Sequence, residues 1–186
     1  MLFKKRALKS QAIKSRGDYE KVELAIKSYY DEYAVNIQSI LSIIESDKFK
    51  ELLLIDNLKN ISSNYVDSFE YIKNNRDDFN KKIDYLILMS DINKMKDNIF
   101  SYTDDKYYVD LYNDLMFNSS LCTEIVNNKD VLIKLKEQIN NNFNISEDIL
   151  TFLLENKGKW KIENEEVKFD NKTLLDKYNN LVSKLK

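Results

Sequence analysis

The chain has 186 residues, of which 43% are hydrophobic and 32% charged, with a formal net charge of −2, a globular composition large enough for one substantial core. It contains no histidine, no proline, two glycines and one cysteine. These counts exclude zinc sites of Cys and His type, the Glu-x-x-His motif of di-iron bundles, an internal disulfide, a glycine-rich phosphate loop and any nucleophile that relies on a histidine base.

Lys, Asn, Ile, Tyr and Phe are abundant, whereas Ala, Gly, Pro and Arg are scarce. That usage is what an AT-rich genome produces, and it points to a low-GC bacterium or to a phage or mobile element living in one. It also favours long helices, because the breakers of helix are almost absent. Charge is unevenly distributed. Six basic residues (Lys4, Lys5, Arg6, Lys9, Lys14 and Arg16) and no acid fall in residues 1–16, so this arm carries +6 and the remainder −8. Either the arm stands free or it continues the first helix upstream, with Phe3, Leu8, Ala12 and Ile13 as a weak apolar edge.

From Asp18 to Ile44, Tyr19, Val22, Ile26, Tyr29, Tyr33, Ile37, Ile40 and Ile44 recur at spacings of three and four, the mark of one buried stripe on a long α-helix. Gly17 and Asp18 supply its start, with Asp18 as N-cap and Glu20 and Glu23 near the positive end of the dipole. Ser46 or Asp47 caps a second helix, with Phe49, Leu53, Leu58, Ile61, Tyr65, Phe69 and Ile72 on its stripe, and the polar run Asn74–Asp78 reads as a turn. Asp77 or Asp78 then caps a third helix whose inner positions are Phe79, Ile83, Leu86, Met89 or Ile92, Met95 and Ile99. Thr103–Asp105 caps a fourth, with Tyr108, Leu111, Tyr112, Leu115, Cys122, Ile125 and Val126 inside. Asn127–Asp130 breaks it, and a shorter helix follows to about Asn140 with Val131, Leu132, Leu135 and Ile139.

Asn140–Asn142 reads as a loop. Ser146 caps another helix, which Gly158 ends at a left-handed position. In the segment 159–169, Trp160 and Ile162, then Val167 and Phe169, alternate with Lys and Glu around a turn at Asn164–Glu166, the pattern of a β-hairpin with one apolar face. Such a hairpin is marginal alone, so its face must lie on helices, with Trp160 as anchor. Asn171 caps a final helix carrying Leu174, Tyr178, Leu181 and Leu185.

The expected fold is therefore an all-α, up-and-down antiparallel bundle of four longer and two or three shorter helices with one small hairpin near the C-terminus. Its expected organisation is a basic arm or helix extension (1–16), a bundle (17–145) and a helix–hairpin–helix segment (146–186). No stretch approaches the ~18 consecutive apolar residues of a membrane span, and Met1–Phe3 is too short for a signal core, so the expected location is cytoplasmic. The alternative is a membrane-anchored ectodomain whose leader has been removed.

Carboxylates are the remaining chemical groups: Asp77 with Asp78, Asp104 with Asp105, and Glu163, Glu165 and Glu166. The first two pairs sit where caps belong and the third at a hairpin turn, so no catalytic, cofactor or metal residue is assigned. Tyr29, Tyr30 and Tyr33, and Tyr102, Tyr107, Tyr108 and Tyr112, either line a groove or, as tyrosines at helical spacing commonly do, form half-buried core with the hydroxyl at the rim. The leading expectation is a non-enzymatic interaction or structural protein that presents helix faces to a protein partner, with no small-molecule substrate. The alternative is docking through Lys4, Lys5, Arg6, Lys9, Lys14 and Arg16 on an anionic membrane surface or nucleic acid, with the acidic body standing off. A carboxylate-dependent hydrolase is the third reading.

Overall fold

A computed structural model describes residues 13–185. Of the described residues 77% are helical, and among them is one two-stranded antiparallel hairpin near the C-terminus, so the fold is an all-α helical bundle. The described residues divide into two compact units, one comprising the chain up to Gln38 with Asp84–Leu132, the other Ser39–Ile83 with the chain from Ile133 onward.

In the first unit, helix α1 (Asp18–Ile44) supplies Val22, Ala25, Tyr29 and Tyr33 to a core completed by Leu86, Met89, Met95, Ile99, Tyr112, Met116, Cys122 and Ile125. The bounds of α1 are those the 3-4 spacing implies. Its inner face is rotated slightly from the expected stripe: Ala25 is buried, and Tyr19 is 48% exposed. Asp18 is not the cap. Gly17, at φ +64°, gives its carbonyl to the Glu20 N–H at 3.1 Å, while the Asp18 carboxylate pairs with Lys21 at 2.8 Å.

The expected third and fourth helices are each broken. Helix α4 (Val66–Met89) stops at Ser90, and α5 (Ile92–Asp97) restarts on Asp91, whose carboxylate accepts from Asn93 N–H and pairs with Lys129. Met89 is therefore the inner residue and Ile92 the exposed one. Helix α6 (Lys106–Phe117) begins on the Asp105 cap and ends before Ser119, which caps α7 (Ser120–Asn127) by accepting from Cys122 N–H at 3.1 Å. On α6 the inner positions are Tyr112 and Met116, which turns Leu115, expected inside, out to 53% exposure. Tyrosines tie these breaks to the core: buried Tyr29 donates to the Met89 carbonyl, buried Tyr112 donates to the Met95 carbonyl at 2.7 Å, and half-buried Tyr30 bonds the Ser119 hydroxyl at 2.6 Å. Each hydroxyl thus satisfies a polar group at a helix end while its ring stays apolar.

In the second unit the continuous second helix of the sequence reading is replaced by pieces: α2 (Asp47–Glu51), α3 (Ile55–Leu58), a 3-10 turn (Lys59–Ser63) and the start of α4. Ser46 caps α2 as expected, accepting from Phe49 N–H at 3.2 Å. The break before α4 falls at Asn64 and Tyr65, both at φ 54°. That conformation disfavours a residue with a Cβ by ~1–2 kcal/mol, offset here by the complete burial of Tyr65 and its hydroxyl bond to the Leu58 carbonyl.

Two expected turns are helical. Asn74–Asp78 lies inside α4, and Asn140–Asn142 and Ser146 lie inside α8 (Lys129–Glu155), which runs unbroken for 27 residues. Cross-helix partners are the reason. Arg76 donates to Glu147 at 2.7 Å and lies over the Phe143 ring, and Asn80 and Asn140 exchange reciprocal amide bonds of 3.0 and 2.7 Å. Ser146 is 6% exposed and is no cap. Beneath these pairs lie Ile72, Phe79, Ile83, Ile139, Phe143, Ile149, Leu150 and Leu153, each adding ~1.5–3 kcal/mol through burial. Val131, expected inside, is 44% exposed, because Leu132 takes the inner position.

The hairpin, β1 (Trp160–Glu163) and β2 (Glu166–Phe169), pairs Trp160 with Phe169 and Ile162 with Val167, as the alternation implies. Its turn is one residue shorter than expected, with Asn164 and Glu165 both at positive φ, the twist that suits a two-residue hairpin loop. Trp160 Nε1–H donates to the Leu153 carbonyl at 2.8 Å, and Phe152, Phe169 and Tyr178 stack in sequence at 5.8 and 5.4 Å. Through that row the hairpin meets α9 (Lys172–Val182), which Asn171 caps as expected.

Candidate functional site

Of the six basic residues assigned to an anionic surface, Lys4, Lys5, Arg6 and Lys9 lie outside the described residues. Lys14 and Arg16 are exposed, in a non-helical stretch that ends at Gly17, so residues 13–16 do not extend α1. This stretch is anchored. The backbone N–H groups of Lys14 and Ser15 donate to the Glu23 carboxylate at 2.8–3.0 Å. Bonds from the Ser15 hydroxyl and from these two amides hold the Glu23 carboxyl below its ordinary range.

The candidate acids do not converge. Asp78 bonds Lys82 one turn along α4, and Asp105 accepts from Tyr107 N–H as the α6 cap. Glu163 pairs with Lys161 at 2.8 Å and Glu166 with Lys168, each lysine holding its partner's carboxyl below the ordinary value. Among the described residues no group of three or more acids or cysteines could hold a metal ion. A cleft of about 410 Å³ in the second unit, near the small end for ligand pockets, is lined by Leu52, Leu54, Asp56, Asn57, Asp67 and Ser68 among others. Of its polar groups, the Asn57 amide donates to the Leu52 carbonyl at 2.6 Å and bonds Ser68, and Asp56 pairs with Lys59 at 2.7 Å.

The tyrosines separate into two sets. Tyr29, Tyr33 and Tyr112 are core, and burial pushes the Tyr112 hydroxyl up to about 12. Tyr30 and Tyr102 are half-buried with their hydroxyls on Ser119 and Ser28. Tyr19, Tyr107 and Tyr108 form a separate cluster at the start of α1 and α6, edge to face at 5.2–6.3 Å, with the Tyr19 and Tyr107 hydroxyls 3.3 Å apart. Tyr107 is 59% exposed.

From that cluster an apolar stripe continues along α6 through Leu111 and Leu115, at i, i+4 and i+8 from Tyr107. Asp104 and Asp105 stand at its N-terminal end, and Asp110 and Asp114 follow one edge at the same helical spacing. Sequence reasoning placed Tyr108, Leu111 and Leu115 on one inner face and so missed this outer one. The usable signal was the width of the apolar arc on α6: Tyr108, Tyr112 and Met116 already complete an inner face, leaving Tyr107, Leu111 and Leu115 as a second.

Among the described residues no helix is long and apolar enough to cross a membrane. In comparisons with protein-family models, curated proteins and solved structures, nothing matches the chain.

Proposed function

We propose that the protein is a non-enzymatic helical-bundle interaction module that binds a protein partner through the outer face of α6 and the adjoining Tyr19. The observation that carries this reading is the row on α6 in which Tyr107 and Leu115 are exposed and Leu111 between them is half-buried, against the tyrosine cluster: aromatic and leucine side chains in such a row are the chemistry of a docking surface. The local pairing of the candidate carboxylates lends support, since a general acid or base works from a convergent cleft. The residue usage is in keeping with a low-GC bacterium or its mobile elements as the source.

The test is affinity capture from the source cell with the full chain, compared with Tyr107→Ser and Leu115→Ser. Both side chains are more than half exposed, so Leu115→Ser melts with the parent, and Tyr107→Ser, which gives up its ring contacts with Tyr19 and Tyr108, stays folded with a slightly lower Tm. A partner held by the parent and lost by both variants supports the proposal, and an unchanged set of captured proteins overturns it.

A second reading is docking of the basic arm on an anionic membrane, favoured by Lys14 and Arg16 beside an exposed tyrosine, a residue suited to the membrane interface. Sedimentation with phosphatidylserine vesicles, comparing the parent with a chain in which Lys4, Lys5, Arg6, Lys9, Lys14 and Arg16 are Gln, decides it. Equal binding, or none, removes this reading.

A further inference from the structure

We infer that the outer face of α6 takes a basic amphipathic helix, with one apolar stripe and Lys or Arg along its edges. This rests on the proposed docking role and names the chemistry of the partner. The row from Tyr107 to Leu115 spans eight residues, about 12 Å, and runs along the helix axis. A row of that kind forms a ridge-and-groove surface into which side chains of a second helix at i, i+3 or i+4 and i+7 interdigitate. An extended strand is excluded as the occupant, because the backbone of α6 is satisfied internally and has no open edge to pair.

Charge selects among helices. Asp104, Asp105, Asp110 and Asp114 border the row, and Asp18 and Glu20 lie beside Tyr19, against Lys21 and Lys106, which already pair with Asp18 and Asp110. Lys14 and Arg16 also precede Tyr19, so the excess of acid lies along α6 itself, where Asp104, Asp105, Asp110 and Asp114 face Lys106, and it favours a cationic occupant over an acidic one. The same acids disfavour a second copy of this chain placed face to face, since both faces carry the same sign, and they disfavour anionic lipid or nucleic acid at this face.

The probe is a fluorescein-labelled 15-residue amphipathic helix of leucine and lysine, with an otherwise identical peptide carrying glutamate in place of lysine as control. Fluorescence anisotropy is read on the full chain, on Leu115→Ser, on Asp104→Lys with Asp114→Lys, and on a chain with Lys4, Lys5, Arg6 and Lys9 changed to Gln. The lysine probe binds the parent, and its affinity falls about tenfold with either set of face substitutions and again at ~0.5 M salt, where screening acts within a few ångströms. The glutamate peptide does not bind. Equal binding of the two peptides overturns the charge selection while leaving α6 as a docking face. Lysine-probe binding that Leu115→Ser leaves unchanged overturns the face itself. Binding that emerges only after the arm is neutralised also overturns the inference, because the occupant would then be residues of this same chain. No binding to any form overturns it outright.

Discussion

Replacing Asn141 by proline separates the helix found here from the loop that its sequence suggests. Asn141 is exposed in the middle of α8, so its side chain contributes little to the core, and its backbone N–H is a helical donor to the Glu137 carbonyl. Proline removes that donor, clashes with the Glu137 carbonyl and drives Asn140 away from helical geometry. The helix term alone amounts to about 3 kcal/mol. Displacement of Asn140 also disturbs its reciprocal bonds to Asn80, at about 1 kcal/mol net for each bond lost. The expected total is therefore about 3–5 kcal/mol, which for a chain of this size lowers Tm by roughly 6–20 °C. Asn141→Ala is the control and stabilises by a few tenths of a kcal/mol, as alanine is the better helix former. Thermal melts followed at 222 nm, with urea titrations for the free energies, give both numbers. If the proline variant melts within about 2 °C of the alanine variant, residues 140–142 are a loop and α8 is two helices.

Trp160→Phe keeps a ring in the hairpin but leaves the Leu153 carbonyl without its indole donor; a loss of about 1 kcal/mol is expected in urea titration, and a change below the error would remove Trp160 as the hairpin's anchor. The Glu23 clasp has a depressed carboxyl pKa, so its contribution is complete above the unfolded carboxyl range and is lost as pH falls through the lower folded value. Amide exchange at Lys14 and Ser15 should accordingly be slow at pH 6, accelerate beyond the intrinsic rate change in acid, and be fast at all pH values in Glu23→Gln; protection retained in that variant would refute the clasp. Cys122 is 3% exposed, burial pushes its thiol up, and its sulfur sits 3.6 Å from that of Met95, so a thiol reagent should label it only on unfolding. Labelling of the native chain as fast as of a free thiol would contradict its place in the core.

Most of the elements could be read from local signals, because the chain has so few conflicting ones. The bounds of α1 follow from an unbroken 3-4 spacing and the left-handed Gly17. The caps Ser46, Asp105 and Asn171, the left-handed Gly158 and the register of the hairpin were likewise legible, since each depends on interactions within a few residues or on the strand period of two. What local signals could not supply was the fate of polar residues in mid-helix. Asn74–Asp78 and Asn140–Asn142 have the composition of turns, and they are helical because Arg76 finds Glu147 and Asn80 finds Asn140 across more than 50 residues of sequence. The breaks at Ser90–Asp91 and Asn118–Ser119 went unread for the converse reason: the apolar spacing continues through them, and they are held open by Lys129 on Asp91 and by Tyr30 on Ser119. The outer face of α6 belongs to the same class. Either of its two apolar arcs satisfies the helical period, and only the packing of Tyr112 and Met116 into the core decides that Tyr107 and Leu115 remain outside, with Leu111 half-buried between them.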